Sequence, residues 1–452
     1  MGTSSNIIHI KRQFTVEGRI WEPPVRSRMI DDSNLRRIPD NDRISNLPAE
    51  LIHCILAHLP IHDVARTSVW SRLWRNLWKM HPLLILDQQF FLTLRFKKTK
   101  DTILSAFSAA INMILLSHTG PILVFKLFIP PNLDMCYIHL WIKHLSFKGI
   151  RTLVLYNSET SPLSSPSHLF DCSELNQATL SKQTSHFECF ANLTTVFLVE
   201  IPISAGMSFG TQLQKLYMVK CTGIEHLACQ LTKNDNLRTL SIYLSDTVDL
   251  GWIECIKELE SFGLFLPSAD FHINNSVYLT DLLSNSPRVN TLQLNGFTLE
   301  VLGRGPSVLE GLTMKMVNLK NLSLYRLGYN MRQVLTCLCL IRNLPRLQDL
   351  FIGLDLEVKS SDLAESTIEH HLKSLDWSDV FLYQLEAVKI SGVDGSRSAL
   401  HLIELILASA PSLRVMSLFR SKTVSDPREK LRIEQELCLL PRKSKAAQLF
   451  WI

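Results

Sequence analysis

Eleven segments of the form L-x-x-L-x-L recur along the chain, opening at Ile150, Leu175, Leu193, Leu213, Leu237, Leu259, Val289, Leu319, Leu347, Leu385 and Leu413, with steps of 18 to 38 residues. A strand alternates its side chains between two faces, so the last two apolar anchors of each segment point one way and the residues between and after them point the other. Self-similarity at such a period marks a solenoid, because one unit cannot bury its apolar face alone and must stack on its neighbours. Stretches such as "LLSNSPRVN", "IRNLPRLQ" and "ILASAPSLR" lie before the segments and end an apolar run with proline, which halts a helix just ahead of the next strand. Helix and strand in repeated order imply a parallel sheet curved into a horseshoe with helices on its convex side.

The period is that of leucine-rich repeats, although the Asn or Cys expected three residues after the last anchor occurs only at Cys221, so an irregular curvature is expected. An earlier unit is predicted from the strand "ILVFKLFI" at 122–129 and the amphipathic "MCYIHLWIKHL" that follows it. The stretch "SETSPLSSPSH" reads as an exposed loop, and the longest step holds "SSDLAESTIEHHLKSLDWSD", read as an inserted helix. Residues pointing away from the anchors face the concave side, where solenoids of this type bind. They include Phe197, Tyr217, Tyr243, Phe265, Tyr325 and Phe351 and few charges. That composition suits an apolar or extended peptide better than a phosphorylated one, which needs clustered arginines. The same rings could equally be covered by neighbouring loops.

Nearer the front, "ISNLPAELIHCILAHLPIHDVARTSVWSRLWRNLW" reads as three short helices. Pro48 suits a first helical position, Leu51, Ile52, Ile55, Leu56 and Leu59 follow at helical spacing, Pro60 stops the run, and Asp63 can cap a second helix carrying Val64. Trp70, Trp74 and Trp78 stand four residues apart, on one face of a third helix. A unit this small buries too little of its own surface to be stable alone, so its apolar surplus must be covered by the next domain, by another protein, or by both. The indoles serve either as core or as interface anchors.

This stretch resembles the F-box of plant F-box proteins, in its Leu-Pro start, its "HLP" helix end and its "RTSVWSRLWRNLW" close, with Trp70 and Leu73 departing from the usual pattern. The C-terminal part, "LYQLEAVKISGVDGSRSALHLIELILASAPSLRVMSL" through "LPRKSKAAQLFWI", resembles the FBD region that follows leucine-rich repeats in that family. The resemblance implies an α/β chain: a flexible extension over 1–39, a three-helix F-box over 40–86, leucine-rich repeats over 120–380 and an FBD region over 381–452 that continues the sheet. It further implies a substrate adaptor of a Skp–cullin–F-box ubiquitin ligase. The F-box would dock on the Skp-type linker through Leu47, Pro48, Leu51, Ile55, Leu59, Pro60, Val64, Val69 and Trp74, while the repeats hold a protein target. The alternative is a leucine-rich-repeat scaffold outside any ligase, with a vestigial F-box.

Other function classes find little support. The net charge of +5 is modest for 452 residues, and the mixed charges of 1–39 do not make a nucleic-acid arm, so neither nucleic acid nor membrane is expected as a partner. No apolar run is long enough for a signal-peptide core or a membrane span, and the ten scattered cysteines fit free thiols in a reducing compartment; nuclear or cytoplasmic residence follows as an expectation. There is no G-x-S-x-G, no Walker loop, no dinucleotide fingerprint and no H-E-x-x-H, and the adjacent His370 and His371 would point about 100° apart on a helix. A non-catalytic protein without cofactor or metal is therefore expected.

Overall fold

The computed structural model describes residues 47–57, 59, 61–67, 78–94, 100–159, 171–182, 192–205, 207–244, 251–268, 288–303, 318–328, 331–355 and 382–452. Pro60, Val69, Trp70, Trp74, the 1–39 extension, most of the Ser/Pro stretch and the insertion of the longest step lie outside them.

At the front, α1 (Ala49–Ala57) and α2 (Ile61–Arg66) enclose a small core of Ile52, Leu56 and Val64, with Leu47, Leu59 and Trp78 packed partly against it. Pro48 stands just ahead of α1, and its carbonyl accepts from Leu51 and Ile52 N–H. Asp63 lies inside the first turn of α2, where its charge favours the positive helix end, and it accepts from Arg66 at 3.2 Å.

Among the described residues fourteen strands then pair in simple chain order, every neighbour parallel. They are β1 (Leu83–Leu86), β2 (Val124–Ile129), β3 (Thr152–Asn157), β4 (Gln177–Ser181), β5 (Thr195–Val199), β6 (Lys215–Val219), β7 (Thr239–Tyr243), β8 (Ser261–Phe265), β9 (Thr291–Asn295), β10 (Asn321–Leu327), β11 (Asp349–Leu354), β12 (Ala387–Val393), β13 (Val415–Arg420) and β14 (Gln448–Trp451). The eleven predicted segments are β3 to β13, and every one of their three anchors is buried, none more than 5% exposed. The sheet starts upstream of residue 120, because "LLIL" in the segment assigned to the F-box is its first strand.

One face of the sheet is covered. Helices α3 (Gln88–Leu94), α4 (Lys100–Ser117), α5 (Met135–Ser146), α6 (Gly296–Leu302), α7 (Met331–Arg342), α8 (Arg397–Ser409) and α9 (Pro427–Leu439) send Phe90, Phe107, Ile111, Trp141, Leu299, Ile341, Leu402, Ile406 and Ile433 into one continuous core with the anchors. The Trp141 indole, 1% exposed, donates to Asn112 Oδ1 at 2.7 Å, which satisfies its one polar group. Cys221 stands over the preceding strand, its thiol directed at Leu198 O at 3.5 Å.

A left-handed residue recurs two positions after the last anchor: Lys182, Glu200 and Lys220, with φ of 51° to 53°, stand just past their strands, while Arg326 at 53° and Gly392 at 81° sit at register shifts within β10 and β12. At Gly392 a Cβ would stand 2.5 Å from Leu354 O, so backbone and space both demand glycine there.

The front unit is tied to the sheet by backbone hydrogen bonds. Thr119 and Gly120 N–H donate to Lys79 O, and Leu123 and Val124 N–H donate to Pro82 O, at 2.8 to 3.2 Å. His118 is buried at this joint with Nε2 at 2.8 Å from His81 O and Nδ1 at 3.1 Å from Gly120 O. Burial lowers its pKa, with the Lys148 and His144 charges adding to the effect, although both carbonyls act against it.

Candidate functional site

Among the described residues two surfaces remain available, one on each part of the chain. On α1, Leu51 and Ile55 are 50% and 43% exposed, one turn apart, while Ile52 and Leu56 on the adjoining face are buried. An amphipathic helix on a small unit normally turns its whole apolar stripe inward, so two exposed branched side chains in register leave a greasy strip on the surface. Pro48 is exposed at its upper end, and Leu47 and Leu59 are half-buried beside it. Val64, placed among the docking residues by its motif position, is 1% exposed and packs inward with Ile52 and Leu56. There it packs α2 onto α1. Pro60, Val69 and Trp74 are not among the described residues.

The second surface is the face of the sheet opposite the helices. Its two columns run in register across the strands: Thr179, Phe197, Tyr217, Ser241 and Gly263 oppose one another in one, and Val219, Tyr243 and Phe265 in the next. The six predicted aromatics fall into two groups. Phe197 and Tyr217 stack with ring centres 4.2 Å apart and planes 5° apart. Tyr243, Phe265, Tyr325 and Phe351 form a chain with successive spacings of 6.4, 5.7 and 5.1 Å. Stacking buries Tyr217 and Phe265 to 8% and 6% exposure, whereas the other four stay half-buried. Gly263 makes room for this, since a Cβ there would stand 3.1 Å from the Phe265 ring. Burial raises the pKa of Tyr243, with the Arg326 charge acting against it.

Some features of this face carry weaker sequence signals. At the first repeats Phe128 and Tyr156 form a separate stacked pair on this face, 6.0 Å apart, and Phe91 of α3 meets Phe128 at 5.7 Å. Near the strand ends, Lys182 pairs with Glu200 at 3.5 Å and Arg326 with Asp355 at 2.7 Å, which puts charge along one rim of a face whose columns are nearly uncharged. Counting two residues past each last anchor finds Lys182, Glu200 and Arg326, but not their pairing.

Residues 44–86 match the F-box domain family. The chain carries an F-box. The F-box chain is 27% identical to an F-box/FBD/LRR-repeat protein of Arabidopsis thaliana over 429 residues, 91% of this chain and 98% of that one. A putative F-box/FBD/LRR-repeat protein and a probable FBD-associated F-box protein of the same plant are 26% and 23% identical, over 86% and 90% of this chain and 77% and 99% of theirs. It is thus similar to plant F-box/FBD/LRR-repeat proteins along most of its length. An internalin from Listeria monocytogenes is similar at 13% identity and a TM-score of 0.25, covering 73% of this chain and 72% of its own. The repeat architecture rests on the parallel strand ladder and not on that likeness. Among the described residues no cluster of three or more His, Cys, Asp or Glu could hold a metal, and no helix is long and apolar enough to cross a membrane.

Proposed function

We propose that this F-box chain is the substrate-recognition adaptor of a Skp–cullin–F-box ubiquitin ligase, working in the nucleus or cytoplasm. The Leu51/Ile55 strip, with Leu47, Pro48 and Leu59 around it, docks on the Skp-type linker, with Pro60, Val69 and Trp74 contributing by motif position. The aromatic face of the repeats holds the target protein. Limits near 40–86 for the F-box and 381–452 for the FBD region go with this reading, while the repeat sheet already begins at β1 and not at 120.

The observation that carries it is the exposure of Leu51 and Ile55 beside a core that Ile52, Leu56 and Val64 already fill. A helical unit that had only to rest on its own chain would have no reason to keep them outside. The chain would contribute no reacting group. Tethering the target close to a charged ubiquitin carrier raises effective concentration, and that is sufficient for rate enhancement. The joint supports this role, since backbone hydrogen bonds from 119–124 to Lys79 and Pro82 fix the front unit against the first strands. Co-expression with a tagged Skp-type linker tests the proposal: the intact chain should be retained with the linker through purification, and its failure to be retained rejects the adaptor role.

A further inference from the structure

β14, the last strand of the sheet among the described residues, differs from the rows before it. Gln448 N–H donates to Arg414 O and Ile452 N–H to Leu418 O, each at 2.9 Å, so the alternate residues 448, 450 and 452 are the ones paired with β13. In a parallel strand the intervening residues direct their backbone groups to the opposite side. The N–H and C=O groups of Leu449 and Trp451 therefore face outward, and among the described residues no strand lies beyond them. Side chains follow the backbone. Met416 and Leu418, their partners in β13, are fully buried, whereas Leu449 and Trp451 are only half-buried on the same core, and Phe450 and Ile452 are 47% and 59% exposed. One further strand would finish this row as β14 finishes the one before it.

The charge around this edge selects what can add to it. Residues 414–452 hold nine Lys or Arg against four Asp or Glu, a surplus equal to that of the whole chain. Exposed Arg442, Lys443 and Lys445 lead into β14, and exposed Arg420 and Lys422 flank its far end, where Arg420 N–H donates to Ile452 O at 3.0 Å. If two copies paired antiparallel by this edge, the cations at the start of one strand would meet those at the end of the other. A parallel pair would set like ends side by side. Both arrangements oppose like charges, which is the usual protection of an edge against its own kind. A segment with acidic residues at both ends meets attraction at both.

We propose that the β14 edge is a docking site for an extended segment of another protein, apolar in its middle and acidic at both ends, which adds to the sheet as one more strand. Backbone pairing with Leu449 and Trp451 would supply affinity and the flanking cations selectivity. This site is separate from the aromatic face and does not depend on the ligase reading.

The test uses the full chain and a fluorescein-labelled peptide, Asp-Glu-Val-Thr-Val-Thr-Val-Glu-Asp, followed by anisotropy. A saturable rise is expected. The same peptide N-methylated at its five central residues keeps its charge but cannot pair, and should bind at least about ten-fold more weakly, as loss of two or more backbone hydrogen bonds predicts. Arg442→Glu with Lys445→Glu, both exposed, should weaken binding by a similar factor. Equal binding of the methylated peptide overturns the proposal, because attraction without strand pairing would explain it. Absence of saturable binding overturns it as well, and so does a dimer in sedimentation that Leu449→Pro abolishes, which would assign the edge to a second copy.

Discussion

Replacing Leu51 and Ile55 together by alanine should separate docking from folding. Full burial of a leucine or isoleucine side chain is worth about 1.5–3 kcal/mol, and these two keep 50% and 43% of their surface exposed, so docking can recover roughly half of that from each. Alanine retains the Cβ, which leaves an expected loss of about 2 kcal/mol in linker affinity, or roughly 30-fold in Kd. The fold should hardly notice, because neither side chain fills the Ile52/Leu56/Val64 core. Leu56→Ala provides the contrast: it empties a fully buried position and should cost about 2–5 kcal/mol of stability in the front unit. Calorimetric titration of the purified full chain with a Skp-type linker, beside circular dichroism of each variant, reads both effects. If the Leu51/Ile55 double variant binds within two-fold of the parent while its spectrum is unchanged, the strip is not the docking surface and the reasoning fails.

Further outcomes follow from the same geometry. Burial holds His118 and His144 below their ordinary pKa, so the unfolded chain binds more protons; the stability they contribute is present above about pH 6.5 and is lost as pH falls below it. Urea midpoints should therefore be lower at pH 5.5 than at pH 7.5, and His118→Gln with His144→Gln should narrow the difference. Gly392→Ala places a methyl group 2.5 Å from Leu354 O at a φ of 81° and should destabilise the chain by about 2 kcal/mol or more in chemical denaturation. Phe197→Ala with Tyr325→Ala removes one member from each aromatic group, and should deplete ubiquitinated proteins captured under proteasome block while linker binding stays within two-fold.

The repeats were legible because each strand spends three anchors on one core, and Ile150, Leu153 and Leu155 illustrate a pattern that a single register satisfies. The columns could be read for the same reason, since alternation fixes which residues share the uncovered face. Ring stacking was not legible: whether Phe197 meets Tyr217 depends on rotamers and on strand spacing, which sequence does not set. β1 escaped notice because "LLIL" lacks the repeated form and abuts the F-box motif. That Val64 packs inward was not legible for a related reason. A six-residue helix presents a face only after its neighbour has settled, and α1 turns Ile52 and Leu56 toward it. Left-handed Lys182, Glu200 and Lys220 gave no signal either, because the turn is imposed by the sheet exit and not by glycine.

Hydrogen–deuterium exchange of the full chain with and without a Skp-type linker tests the central claim most directly. The account predicts slowed exchange across α1, residues 49–57, with the aromatic strands from 195 to 354 unchanged. Slowing confined to those strands, or no slowing at α1 in a complex that does form, would contradict it.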